Sequence, residues 1–154
     1  MSVEFNIEGL DEVSRKLQAI GSQKVAKRIA RKAGRQAMNL VRDAARLNSK
    51  AIDDPDTKEK IHKNITVQGG KSRNANEIII RVGIKGGASQ NQHSVSTAGL
   101  SGGDTRHWRY VEFPTSRTTA TPFMRPALAN NIQQVTNKFV QVFDAELDKE
   151  LARP

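Results

Sequence analysis

Cysteine is absent from the 154-residue chain, which excludes disulfides, thiolate metal sites and cysteine nucleophiles together. Aromatic residues are scarce: one Trp, one Tyr and five Phe. A deep aromatic pocket is therefore not available, and burial has to come from aliphatic helix faces and a small sheet. No apolar run approaches the ~18 to 20 residues that cross a bilayer. The opening MSVEFNIEGLDEV has neither a basic n-region nor an apolar h-region. These absences predict a soluble protein made for the cytoplasm, with no membrane partner. Leu, Ile, Val and Phe together make 35 of the 154 residues. That lies just above the ~20% below which a charged chain stays disordered, so the chain folds on a modest core. Its length fits a single domain, residues 1–154.

Candidate chemistry is thin. His62, His93 and His107 are dispersed, without the i, i+4 spacing that brings two metal ligands onto one helix face. Ser94, Ser96 and Ser101 lack the strand-to-helix elbow that exposes a nucleophile, and neither Gly69-Gly70 nor Gly86-Gly87 forms a phosphate-binding loop. Asp104, His107 and Glu112 are close in sequence, but on a strand the odd separation of His107 and Glu112 sends them to opposite faces. No enzyme, cofactor, metal or small-molecule substrate is expected.

What the chain does have is positive charge, +9 in all from 25 Lys and Arg against 16 Asp and Glu. Residues 22–50 hold nine basic residues and only one acid, Asp43. Val25, Ile29, Ala33, Ala37, Leu40, Ala44 and Leu47 keep to one side of a helix there, at ~100° per residue. Lys24, Arg28, Arg31, Arg35, Arg42 and Arg46 fall on the other side. A face of this kind meets nucleic-acid phosphates, an anionic membrane or an acidic protein surface, or is simply solvated.

The remaining pattern is helix, helix, short helix, strands, helix. Leu10, Val13, Leu17 and Ile20 mark a first helix near 9–20 that Gly21 ends, and Ser22 caps the long second helix. Pro55 is placed to open a short third helix reaching about Asn64. Ile65 and Val67 alternate with polar neighbours, GGKSRNAN forms a turn, and Glu77–Ile84 is rich in β-branched residues, together a hairpin. His107–Phe113 alternates again and predicts a further strand. Between them, residues 85–104 are rich in glycine (Gly86, Gly87, Gly99, Gly102, Gly103) and poor in apolar side chains, which predicts a flexible loop. Thr121 and Pro122 open a last helix whose stripe is Leu128, Ile132, Val135, Phe139, Val142, Phe143 and Leu147. The expected fold is α+β: an antiparallel sheet of three to four strands against long N-terminal and C-terminal helices, with a long flexible loop between strands.

The stretch Trp108–Leu128, WRYVEFPTSRTTATPFMRPAL, resembles the tail-completion or head-to-tail joining proteins of long-tailed (siphovirus-type, lambdoid) bacteriophages and prophages. In that family a Val-Glu-Phe-Gly-Thr strand end runs into a turn, then Pro-Phe-Met/Leu-Arg-Pro-Ala and a long helix. Tyr110, Val111, Glu112, Phe113, Thr115, Pro122, Phe123, Arg125, Pro126 and Ala127 match, and Ile7-Glu8-Gly9-Leu10 is similar to the family's start. Pro114 departs from the family's glycine, and AIDDPDTKEKIHKNI keeps only a remnant of its Thr-Gly-x-Leu segment.

Physically, Phe113 and Phe123 are suited to pin strand and helix start to one core, and Glu112 and Arg125 to form a local or intersubunit ion pair. The block Trp108, Tyr110, Glu112, Phe113, Thr115, Phe123, Arg125, Pro126 is thus either a corner of the fold or a set of subunit contacts. The resemblance implies a non-enzymatic virion protein that forms a ring, expected to be hexameric, at the head-tail junction. It completes or terminates the tail and joins it to the neck. Its implied partners are other copies of itself, neck or connector and tail tube proteins, and packaged DNA bound non-specifically. Its implied location is the host cytoplasm during assembly, then the virion. The glycine-rich loop fits an arm that orders against a neighbouring ring. The alternative is a small basic DNA-binding protein using the cationic face of helix 22–50.

Overall fold

The computed structural model describes residues 10–87 and 96–154. The first helix, α1, is Leu10–Ile20, and Gly21 leaves it with a φ of 65°. Ser22 then caps α2, Gln23–Lys50, its hydroxyl accepting from the Val25 N–H at 3.4 Å. At 28 residues α2 is about 42 Å long. After it come α3 (Ile61–Asn64), the strands β1 (Ile65–Gly70) and β2 (Ile79–Ile84), then α4 (Trp108–Glu112), α5 (Met124–Ala129) and α6 (Ile132–Leu151).

Helix α2 carries two cores on one ridge. Ile29, Ala33, Ala37, Val41, Ala45 and Ser49 are buried at i+4 spacing, a row inclined to the helix axis that suits close packing. Its first half, Ile29 and Ala33, meets Val13 of α1 and Phe143 and Leu147 of α6. Its second half, Val41 and Ala45, meets Ile61, Ile65, Phe123 and Ala127. The expected stripe is corrected at Leu40 and Leu47: it leaves the i+4 row after Ala37, so Leu40 is exposed and Leu47 is 73% exposed, while Ala44 stays packed against the second core.

Helices α2 and α6 run antiparallel, since Arg28 pairs with Glu150 and Lys32 with Glu146, each at 2.9 Å. Helix α1 is tied to α6 by Lys16, whose ammonium lies 2.6 Å from Asp144 and 2.7 Å from Asp148. Hydrogen bonds to Asp144 and then Asp148 raise the Lys16 pKa and keep it charged.

Among the described residues the sheet has two strands, where three to four were expected. β1 pairs antiparallel with β2 in the register Ile65↔Ile84 to Gly70↔Ile79, as the hairpin pattern predicts. β2 rests on α2 at Gly34, where a Cβ would come within 2.8 Å of Ile80 Cγ1. The strand expected at His107–Phe113 is the helix α4. As a strand, Trp108 and Val111 would point apart. As a helix, Trp108, Val111 and Glu112 stand at i, i+3 and i+4 and turn inward together, the first two against the second core and Glu112 buried. Short apolar runs do not distinguish these periods, and packing decides.

Two further boundaries differ from expectation. Pro55 lies in a turn, and α3 begins only at Ile61 because the Asp53 carboxylate accepts from the N–H groups of Ile61 (2.8 Å) and His62 (3.2 Å). The last helix is broken at Asn130–Asn131. The Asn131 side chain donates to the Ala127 carbonyl at 2.7 Å, the acceptor that a continuous helix would offer to its own backbone N–H, which turns to Leu128 instead. Leu128 and Ile132 flank the break and are exposed.

Truncation should separate the true core from the apparent one. Leu147→Ala, fully buried, should lower unfolding free energy by about 2 to 5 kcal/mol in urea titrations, and Leu47→Ala by less than about 0.5 kcal/mol.

Candidate functional site at the Glu112 corner

Glu112 ends α4 and is 1% exposed, yet its carboxylate is fully partnered. One oxygen, Oε2, accepts from the backbone N–H groups of Phe123 (2.7 Å) and Met124 (3.0 Å). The other, Oε1, accepts from the Arg125 N–H (2.9 Å) and from Arg125 Nε (3.1 Å). Arg125 Nη2 closes the ring by donating to the Glu112 carbonyl at 2.7 Å. The carboxylate thus satisfies the first N–H groups of α5, which have no partner inside the helix. It takes the place of the cap assigned to Thr121, whose N–H donates instead to the Val111 carbonyl at 2.8 Å.

Burial acts to raise the Glu112 pKa. The hydrogen bonds from Met124, Phe123 and Arg125 outweigh it and hold the carboxyl below its ordinary value, so it stays ionised. The ion pair with Arg125 is local. Phe123 is buried in the second core, but Phe113 is not: it lies exposed, with the Arg125 guanidinium 4.9 Å from its ring centroid. The expectation of a shared core for both Phe side chains is therefore corrected. Trp108 is half-buried and donates from Nε1 to the Gly87 carbonyl at 3.0 Å. Tyr110 is 64% exposed and Pro126 is half-buried. Thr115 accepts from the N–H groups of Arg117 and Thr118, so the chain turns after Pro114 through side-chain hydrogen bonds. No described non-glycine residue, Pro114 included, has a positive φ.

The structure divides the cationic face. Arg28 is paired with Glu150, Arg42 with the adjacent Asp43 at 2.9 Å, and Arg46 donates twice to the Ile65 carbonyl, at 3.2 and 2.8 Å. Lys24 is exposed, Arg31 lines a cleft beside the β1–β2 turn, and Arg35 lies over Gly69. Arg46 is thus a positioning group for β1.

The glycine-rich segment is held by hydrogen bonds at several of its described positions; residues 88–95 lie outside the described residues. Gly86 is buried under Leu100 and Thr97, and Gly99 takes a φ of 80° in the turn from Thr97 to Leu100. Gly102 donates to Asn64 Oδ1 at 2.9 Å and accepts from the Lys60 N–H at 2.8 Å. A Cβ on Gly102 would lie 2.7 Å from Asn64 Cγ and collide with the Lys60 carbonyl, so only glycine fits. Asn64 Nδ2 also donates to the Gly103 carbonyl at 3.0 Å and to Thr105 Oγ1 at 2.8 Å. Asn64 was not among the expected site residues. Nothing in its sequence surroundings marks it, because its partners lie 38 to 41 residues away. Asp104 is paired with Arg106, which holds its carboxyl down at about 2.

Among the described residues no group of three or more His, Asp or Glu side chains is placed to hold a metal ion, and no helix is long and apolar enough to cross a membrane. The Glu112 carboxylate is engaged in holding the start of α5.

Replacing the carboxylate by its amide tests this account. Glu112→Gln puts an N–H₂ group against donors and should cost about 3 kcal/mol, whereas Arg125→Gln, half exposed at its head group, should cost under about 1 kcal/mol. Because the folded pKa lies below the ordinary 4.5, the Glu112 contribution is present above that value and lost as pH falls through the folded pKa. The stability gap between native protein and Glu112→Gln, measured by denaturant titration, should therefore be largest at neutral pH and shrink as pH falls below 4.5.

Residues 11–113 match the family described as "Bacteriophage HK97-gp10, putative tail-component", a span running from α1 through α4 to the Glu112–Phe113 corner. No curated protein and no solved structure matches the chain. Since the match covers well over half of its length, the chain belongs to this HK97-gp10-like family of bacteriophage tail components.

Proposed function

We propose that this tail component works at the head-tail junction, where it completes or terminates the tail and joins it to the neck as one subunit of a ring, with six copies the expected number. The observation that carries the reading is the set of large apolar side chains left exposed around and beyond the Glu112 corner: Tyr110, Phe113, Leu128 and Ile132. A buried ionic clamp holds the segments that bear them, which suits a surface presented to a partner in one fixed arrangement. In this reading Trp108, Glu112, Thr115, Phe123, Arg125 and Pro126 build the corner, and Tyr110 and Phe113 touch the neighbouring subunit. The two-stranded sheet leaves strand edges for pairing between copies. The protein acts first in the host cytoplasm and then in the virion, with tail tube and neck proteins as partners.

An amber codon at Trp108 in the parent phage or prophage should yield filled heads lying apart from tails, or tails of abnormal length, in electron micrographs of lysates. Separated parts indicate joining, and abnormal lengths indicate termination. Tyr110→Ala combined with Phe113→Ala, supplied in trans, should fail to restore particles while melting at the native temperature. Normal infectious particles from the amber phage would overturn the reading.

A further inference from the structure

The β1–β2 turn and the first half of α2 form the two walls of a cleft of about 550 Å3. One wall carries Lys27 and Arg31, one helical turn apart, and the other carries Lys71 and Arg73. Arg35 extends the helical row by a further turn and lies against Gly69 at the cleft's end. Successive members of that row are ~6 Å apart along the axis. The lining contains one carboxylate, Glu77, and it is engaged by the Ser72 hydroxyl at 2.6 Å.

The turn is built to hold this shape. Gln23, at the start of α2, donates to the Ala75 carbonyl at 3.2 Å and to Asn76 Oδ1 at 2.5 Å. Within the turn, Ser72 Oγ accepts from the Asn74 N–H and Asn74 Oδ1 from the Asn76 N–H. Among the described residues no carboxylate pairs with Lys27, Arg31, Arg35, Lys71 or Arg73, whereas Arg28 and Lys32, on the α6 side of the same helix, are neutralised by Glu150 and Glu146. Part of the chain's excess charge is thus gathered where two elements converge, and a bound anion would relieve the repulsion between these cations.

We propose that this cleft grips the phosphate backbone of duplex DNA without reading its sequence. A row of cations at regular spacing with a second pair facing it suits a regular polyanion. The walls carry no aromatic side chain, so the stacking that retains single strands is missing. The +9 chain adds a long-range attraction of the same sign. The site differs from the helical face that the sequence suggests: it adds Lys27, Lys71 and Arg73 and leaves out Lys24, Arg28, Arg42 and Arg46.

The test is fluorescence anisotropy of purified full-length protein with a labelled duplex of mixed sequence across a salt series. The four cations that line the cleft, Lys27, Arg31, Lys71 and Arg73, give a log–log slope of about −3.6 if each meets a phosphate. Lys71→Gln with Arg73→Gln, and separately Lys27→Gln with Arg31→Gln, should each reduce the slope to about −1.8. Lys58→Gln with Arg117→Gln removes the same charge elsewhere and should leave it unchanged. Lys27 is half-buried and the other positions are exposed, and circular dichroism verifies the folding of each variant. Equal slopes for all three variants, no duplex binding at low salt, or tighter binding of poly-glutamate than of duplex would overturn the proposal. The last outcome would reassign the cleft to an acidic protein. The assay needs no virion, so its result is independent of the head-tail reading.

Discussion

A buried carboxylate is costly unless its lone pairs are filled, and Glu112 fills them with three backbone N–H groups and one guanidinium N–H. The donors belong to Phe123, Met124 and Arg125, so the interaction ties the end of α4 to the start of α5 across the whole intervening turn. Phe123 is thereby seated in the core beside Val41 and Ile65, and the direction in which the chain leaves toward α6 is set. The short helices α4 and α5 have little stability of their own. Their geometry is a consequence of the clamp and of the core beneath it.

The other constraint is the length of α2, which serves two cores with one row of small and branched side chains. Alanines at 33, 37 and 45 let α1, α6 and the β1–α5 layer approach closely. Helix α6 then supplies the acids that neutralise one flank of α2, and the hairpin stands beside the other. Fold and electrostatics are coupled here: the same docking of α6 that buries Phe143 and Leu147 decides which cations of α2 retain their charge toward solvent. A tail component of this construction presents a discharged flank, a charged cleft and an exposed aromatic corner as three distinct surfaces.

Much of this was legible in the residues. Ser22, the α2 periodicity as far as Ala37 and the Ile65/Glu77–Ile84 hairpin are local features whose capping, spacing and β-branching act over a few residues, and the structure keeps each of them. The link between Glu112 and Arg125 was also visible, since both sit in one motif. The seat of Phe113 was not, because exposure depends on what packs over a side chain. Asn64 was invisible for the same reason: its hydrogen bonds connect α3 to a glycine-rich segment some forty residues onward.

By itself, then, the sequence determined the α+β class, the long two-faced helix, the hairpin, the absence of cysteine chemistry, the positive charge and, through residues 11–113, membership of a phage tail-component family. Tertiary structure alone decided that His107–Phe113 is helix, that the last helix breaks at Asn131, that residues around Gly102 are anchored, and which cations remain unpaired. The physical reason is one of range. Caps, periods and turns are energies between neighbours, whereas the helical state of a short ambiguous run and the neutralisation of a charge depend on partners that only the folded chain brings near.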